Sequence, residues 1–180
     1  SEGNYYGMGW LDQQDLQDWL HLLIKEYPKA NITLYGVSMG ASAVLNLAAS
    51  DLPKQVDTVI ADSGFTSVAE IFETQLNDTL HLPSFPIMNA ANSVSKLRIN
   101  LDFYQASTVT LVPNIKIPIF YIHGGLDDFV PVSNVHALAK ATSSPHHVWV
   151  VENANHGEAV KVQPDEYRKR LHEFIQNERD

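Results

Sequence analysis

Apolar residues recur along this chain in two alternating rhythms. Over 11–27, Leu16, Trp19, Leu20, Leu23, Ile24 and Tyr27 return at helical spacing, Asp12 and Asp15 favour the positive N-terminal end, and Pro28 is the stop. "NITLYGV" follows as a short β-rich run with too little polar alternation for a surface strand, so it reads as a strand covered on both faces. "MGASAVLNLAAS" then resumes as a helix, its alanines small enough to lie close to a sheet. The alternation continues with strands over 56–61, 117–122 and 147–151 and helices over 68–80, 133–141 and 164–177, the last with Tyr167, Leu171, Phe174 and Ile175 on one face. Strands and helices taken in turn predict an α/β fold, a parallel sheet with helices on both faces.

One stretch, 66–113, interrupts the pattern. It contains no strong strand, and "LHLPSFPIMNAANSV" carries prolines beside Phe85, Ile87 and Met88, which are expected to be exposed. Two readings stand: a helical insertion that completes the core, or a lid over a ligand site. The expected organisation is one domain over 1–180 with this insertion inside it.

Composition narrows the function. A length of 180 residues with 44% apolar content suffices for a core and an enzyme-sized pocket. A net charge of −9, from 12 basic and 21 acidic residues with no basic run, argues against nucleic acid or an anionic membrane surface and favours a small-molecule partner. The absence of cysteine excludes disulfides, thiolate zinc sites and a cysteine nucleophile. No apolar run reaches the roughly 18 residues that span a bilayer, and "SEGNYYGMGW" lacks the basic start and apolar middle of a signal peptide, so the chain as given reads as soluble.

The candidate chemistry centres on "LYGVSMGAS". A serine hydroxyl attacks only when a base takes its proton and the backbone presents it clear of its neighbours. Between a strand and a helix the serine adopts a strained conformation, and Gly36 and Gly40 are expected to remove collisions around Ser38. The following helix would then aim its first N–H groups at the serine, making the Met39 N–H an oxyanion donor. The alternative is an N-cap serine in a glycine-rich loop. Two other strand ends weigh against that. "YIHGGLDDFVPV" delivers Asp127 and Asp128 into a loop, at most one of which can orient a histidine. In "VENANHGEA", His156 alone among eight histidines lies just past the last strand and before the closing helix. Serine, acid and histidine thus each follow a predicted strand, in that chain order, with Ser38, Asp127 and His156 as the triad.

These stretches resemble the α/β-hydrolase superfamily, and more narrowly a bacterial serine-hydrolase group with similar "SEG.Y.GMGW", "GVSMGA", "HG..D.FVP" and "A.HG" segments. The resemblance implies Ser38 as nucleophile, Asp127 as the acid and His156 as base, in acyl transfer to water with no metal or organic cofactor. It implies a carboxylic-ester hydrolase, with a peptidase of the same fold as the alternative; a binding module on that fold stands outside both. The apolar residues Phe72, Leu76, Phe85, Ile87 and Met88 favour a small apolar acyl group, Phe85, Ile87 and Met88 being the substrate-binding candidates, although each also suits a core. Relative to the family pattern, the strands that ordinarily precede the nucleophile strand are missing, and with them the loop that gives the second oxyanion N–H. The chain therefore reads as the carboxyl-terminal portion of a larger hydrolase, slow or inactive alone. Its open sheet edge is expected to be covered by the missing N-terminal half or by a second copy. The compartment is open between the cytoplasm and the cell surface, the latter by way of an anchor in the missing part.

Overall fold

The computed structural model describes residues 3–179; Ser1 and Glu2 of the N-terminal motif lie outside the described residues, as does Asp180. Helix α1 (Gln13–Glu26) leads into strand β1 (Ile32–Val37), helix α2 (Met39–Ala48) and strand β2 (Val56–Asp62). A helical stretch follows, with α3 (Val68–Thr74), a π-helical turn (Gln75–Thr79), α4 (Ser84–Ile99), α5 (Thr108–Leu111) and a 3-10 turn (Val112–Asn114). Strand β3 (Ile119–Gly124), α6 (Ser133–Ala141), β4 (His146–Val151), α7 (Ala159–Val162) and α8 (Pro164–Asn177) complete the described chain. The four strands lie in the order β1-β2-β3-β4, all parallel.

The two-residue period of a strand sorts the core into two layers. Val59 and Ala61 of β2 and Ile119 and Tyr121 of β3 face α2 and α6, packing with Val44, Leu45, Val135 and Leu138. Their neighbours Ile60, Phe120 and Ile122 face the other way, against Tyr167 and Phe174 of α8. A third cluster lies outside these layers: Phe65, Val68, Ile71, Met88, Leu101, Phe103 and Val130, with Met39 packed against it. The helical stretch between β2 and β3 thus builds its own core, in contact with the residue that follows Ser38.

Four expectations are corrected. Strand β1 is not covered on both faces: Tyr35 and Val37 are 48% and 37% exposed. α8 covers that face of β2, β3 and β4, but meets β1 through the Tyr35 and Tyr167 hydroxyls. Strand β3 begins at Ile119 rather than 117, because Pro118 has no N–H for the ladder and contributes only its carbonyl, to Val59 N. The helix expected over 68–80 ends at Thr74 and widens into the π-turn, where the Gln75 side chain donates to the Phe129 carbonyl at 2.9 Å. Met88 is buried, at 2% exposure, against Phe65 and Phe103, whereas Phe85 is 75% exposed and Ile87 half-buried.

Candidate active site

The ladder brings the carboxyl ends of the strands to one rim. Val37 pairs with Asp62, Asp62 with Ile122, and Gly124 with Val151, so the residues just past each strand gather together. Ser38 stands at φ 57°, ψ −120°, between the last residue of β1 and the first of α2. Its own N–H is held by the Asp62 carbonyl at 2.8 Å, which anchors this conformation to the neighbouring strand. Gly36 is required there: a Cβ on it would lie 2.2 Å from the Gly40 carbonyl oxygen. Gly40 is not required in the same way, because a Cβ there meets nothing within 4 Å and points into a cleft edged by Trp19, Tyr35 and Met39. The collision that was expected to involve both glycines is one between the Gly36 side-chain position and the Gly40 backbone. The Met39 N–H, first in α2, has no preceding turn to bond to and is free for an anion.

Asp127 and His156 come from the loops after β3 and β4. Close approach of the two loops depends on Gly124, where a Cβ would fall 2.4 Å from the Asn155 carbonyl oxygen. The Leu126 N–H donates to Ala154 O at 2.9 Å, tying the loops together. His156 Nδ1 lies 2.8 Å from Asp127 Oδ2, and His156 Nε2 lies 2.8 Å from Ser38 Oγ. Since a carboxylate only accepts, Nδ1 carries the proton, which leaves Nε2 to accept from the serine hydroxyl. Asp128 does not share this contact; Asp127 does, with its side chain fully buried, while that of His156 is 24% exposed.

Asp127 receives donors on both oxygens. Oδ1 accepts the N–H groups of Phe129 and Val130 at 3.1 and 2.8 Å, and Oδ2 faces His156 Nδ1 and, at 3.3 Å, His123 Nε2. Burial by itself would raise its pKa, but the His123 Nε2–H, shared with the Val130 carbonyl, and the hydrogen bonds from His156 and the Val130 N–H outweigh it and hold the carboxyl well below the usual range. His123, expected to be a strand-end residue holding the loop, is wholly buried and its Nε2 donates to the Val130 carbonyl at 2.9 Å. Phe129 completes the surroundings, its ring 5.0 Å from the imidazole of His156. Sequence reasoning did not single out Phe129, or Asp62 and Ser63 at the end of β2. The signal for Asp62 was an acid closing the apolar run Val59-Ile60-Ala61. Among the described residues, no group of three or more His, Cys, Asp or Glu side chains is arranged to hold a metal.

A parallel sheet wrapped by helices, with a serine on a tight strand-to-helix turn, defines the α/β-hydrolase fold in its serine-hydrolase form. The chain belongs to the prolyl oligopeptidase family, whose model matches residues 3–179. It is 29% identical to YqkD of Bacillus subtilis, described as uncharacterized, over 181 aligned positions that cover all of this chain and 59% of that protein. Among solved structures, the esterase Pf2001 of Pyrococcus furiosus superposes with a TM-score of 0.74 at 24% identity, covering 97% of this chain and 65% of the esterase. An acylaminoacyl peptidase of Pyrococcus horikoshii superposes with a TM-score of 0.66 at 15% identity, over 92% of this chain and 27% of the peptidase. This chain therefore spans about three-fifths of the YqkD length.

Proposed function

We propose that this chain carries the catalytic centre of a hydrolase for carboxylic esters with a small or apolar acyl group, acting through an acyl-enzyme on Ser38. The observation that carries the reading is the position of His156, 2.8 Å from both Ser38 Oγ and Asp127 Oδ2. Ser38 attacks the carbonyl carbon as its proton passes to His156 Nε2. The imidazolium that forms is stabilised by Asp127, and the tetrahedral oxyanion by the Met39 N–H. His156 then protonates the leaving alcohol, and a water activated by the same imidazole releases the acid. Because removal of one oxyanion donor costs about 3 to 4 kcal/mol of barrier, a preparation in which the Met39 N–H acted without a second donor would be slow.

Ester substrates are favoured by the likeness to the Pyrococcus furiosus esterase across 97% of this chain. The likeness to an acylaminoacyl peptidase keeps a peptidase as the second reading. A fluorophosphonate probe should label Ser38 and fail to label Ser38→Ala. p-Nitrophenyl esters of short acids should turn over faster than aminoacyl anilides; the reverse order would assign a peptidase. Absence of labelling in a preparation containing the whole fold would leave a binding module.

A further inference from the structure

We propose that Asp62 and Ser63 are positioning residues that lock Ser38 and the His156 loop into one frame, an inference that rests on the serine-hydrolase reading above. Both side chains are buried, at 1% and 0% exposure, and neither touches the reacting atoms in the scheme. Asp62 acts through both its main chain and its carboxylate. Its carbonyl holds the Ser38 N–H at 2.8 Å. Its Oδ2 accepts the Tyr167 hydroxyl at 2.8 Å and its Oδ1 accepts the Ser63 hydroxyl at 2.9 Å.

The carboxylate sets the direction of every proton in this network. Tyr167 commits its single proton to Asp62, so the Tyr35 hydroxyl, 3.0 Å away, is the donor to Tyr167. Ser63 likewise commits its proton to Asp62 and turns a lone pair outward. That lone pair receives the N–H of Gly157, the residue next to His156, at 3.2 Å. A single buried residue thus holds the serine turn through its main-chain carbonyl and the histidine loop through its carboxylate and Ser63.

Backbone strain points the same way. Ser63 adopts φ 55°, where a non-glycine residue is disfavoured by about 1 kcal/mol or more. Glycine would relax that conformation but would lack the hydroxyl that meets Gly157. Loss of the hydroxyl frees the Gly157 N–H and with it the placement of the imidazole, and displacement of a catalytic group by about 1 Å lowers rates by roughly a hundredfold.

Ser63→Gly tests this on the full chain, since it removes the hydroxyl while relaxing the backbone. The expected result is a cooperative urea transition like that of the wild type. Exchange of the Gly157 amide should accelerate by about tenfold, and probe labelling of Ser38 should slow by about tenfold or more. With an ester that turns over, kcat should fall and KM stay within about twofold, a split that general loosening of the fold would not give. Tyr167→Phe, which removes a different donor to Asp62, should give a smaller loss of the same kind. A wild type that fails to label in a preparation containing the whole fold overturns the hydrolase reading and this inference with it. A wild type that labels, beside a folded Ser63→Gly variant with unchanged labelling or unchanged Gly157 exchange, overturns this inference alone.

Discussion

Ser38 is held at φ 57° by its neighbours, with Gly36 clearing the space on one side and the Asp62 carbonyl fixing its N–H on the other. The two glycines of the motif should therefore respond differently to alanine. Gly36→Ala forces a Cβ onto the Gly40 backbone and should cost about 3 kcal/mol in urea denaturation. Gly40→Ala adds a methyl to open space in α2 and should leave stability unchanged or raise it by up to about 1 kcal/mol. Asp127 supports a prediction with a definite pH window. Its folded pKa lies below the ordinary aspartate value of 3.8, so its stabilising contribution is fully present above that pH and is lost as pH falls beneath it. The stability difference between the wild type and Asp127→Asn, measured by denaturant titration from pH 7 to 2, should be greatest at the neutral end and shrink below about pH 4. At neutral pH, Asp127→Asn should lower kcat by up to about ten-thousandfold, because the amide can donate to Nδ1 and favour the wrong imidazole tautomer.

At the scale of elements, the helical stretch between β2 and β3 separates two roles that sequence reasoning left open for the same residues. Met88 faces inward from α4 into the cluster of Phe65, Leu101 and Phe103, so Met88→Ala should cost about 2 to 5 kcal/mol. Phe85, 75% exposed at the start of the same helix, belongs to no cluster, and Phe85→Ala should change stability by less than about 0.5 kcal/mol. We propose this stretch as a lid over the acyl site. Its Gln75 holds the carbonyl of Phe129, whose ring lies against His156, so it meets the loop that carries Asp127. Phe85→Ala should raise KM for apolar acyl esters while leaving the rate of probe labelling nearly unchanged; an unaltered KM would remove Phe85 from the substrate surface.

At the scale of the whole molecule, β1 is paired on one side only among the described residues, Tyr35 and Val37 are exposed along it, and the exposed Trp19 of α1 edges the same cleft as Tyr35. Such an edge offers free N–H and C=O groups and apolar area together. We expect purified samples of the 180-residue chain to pair through it with a second copy, giving a mass above 20.1 kDa in sedimentation equilibrium. With a net charge of −9 on each copy, association should strengthen as salt rises from about 0.01 to 0.15 M and screens the repulsion. A monomer at both ionic strengths would show that the edge is protected without a partner. No helix among the described residues is long and apolar enough to cross a membrane.

The order of strands and helices, and the serine, acid and histidine following the first, third and fourth strands, were legible because they depend on local periodicity and on turn residues near one another in the chain. What those patterns could not contain was distance across the sheet. The collision at Gly36 involves a backbone that folds back upon it, Met88 is buried by side chains from Phe65 to Val130, and the Ser63 hydroxyl meets an amide 94 positions away. The last of these follows from the register that aligns Val37 with Asp62 and Gly124 with Val151. Chain order alone nominated the residues at the rim; only closure of the sheet decided which atoms lie within hydrogen-bonding reach, because that reach is set by packing between segments remote in sequence.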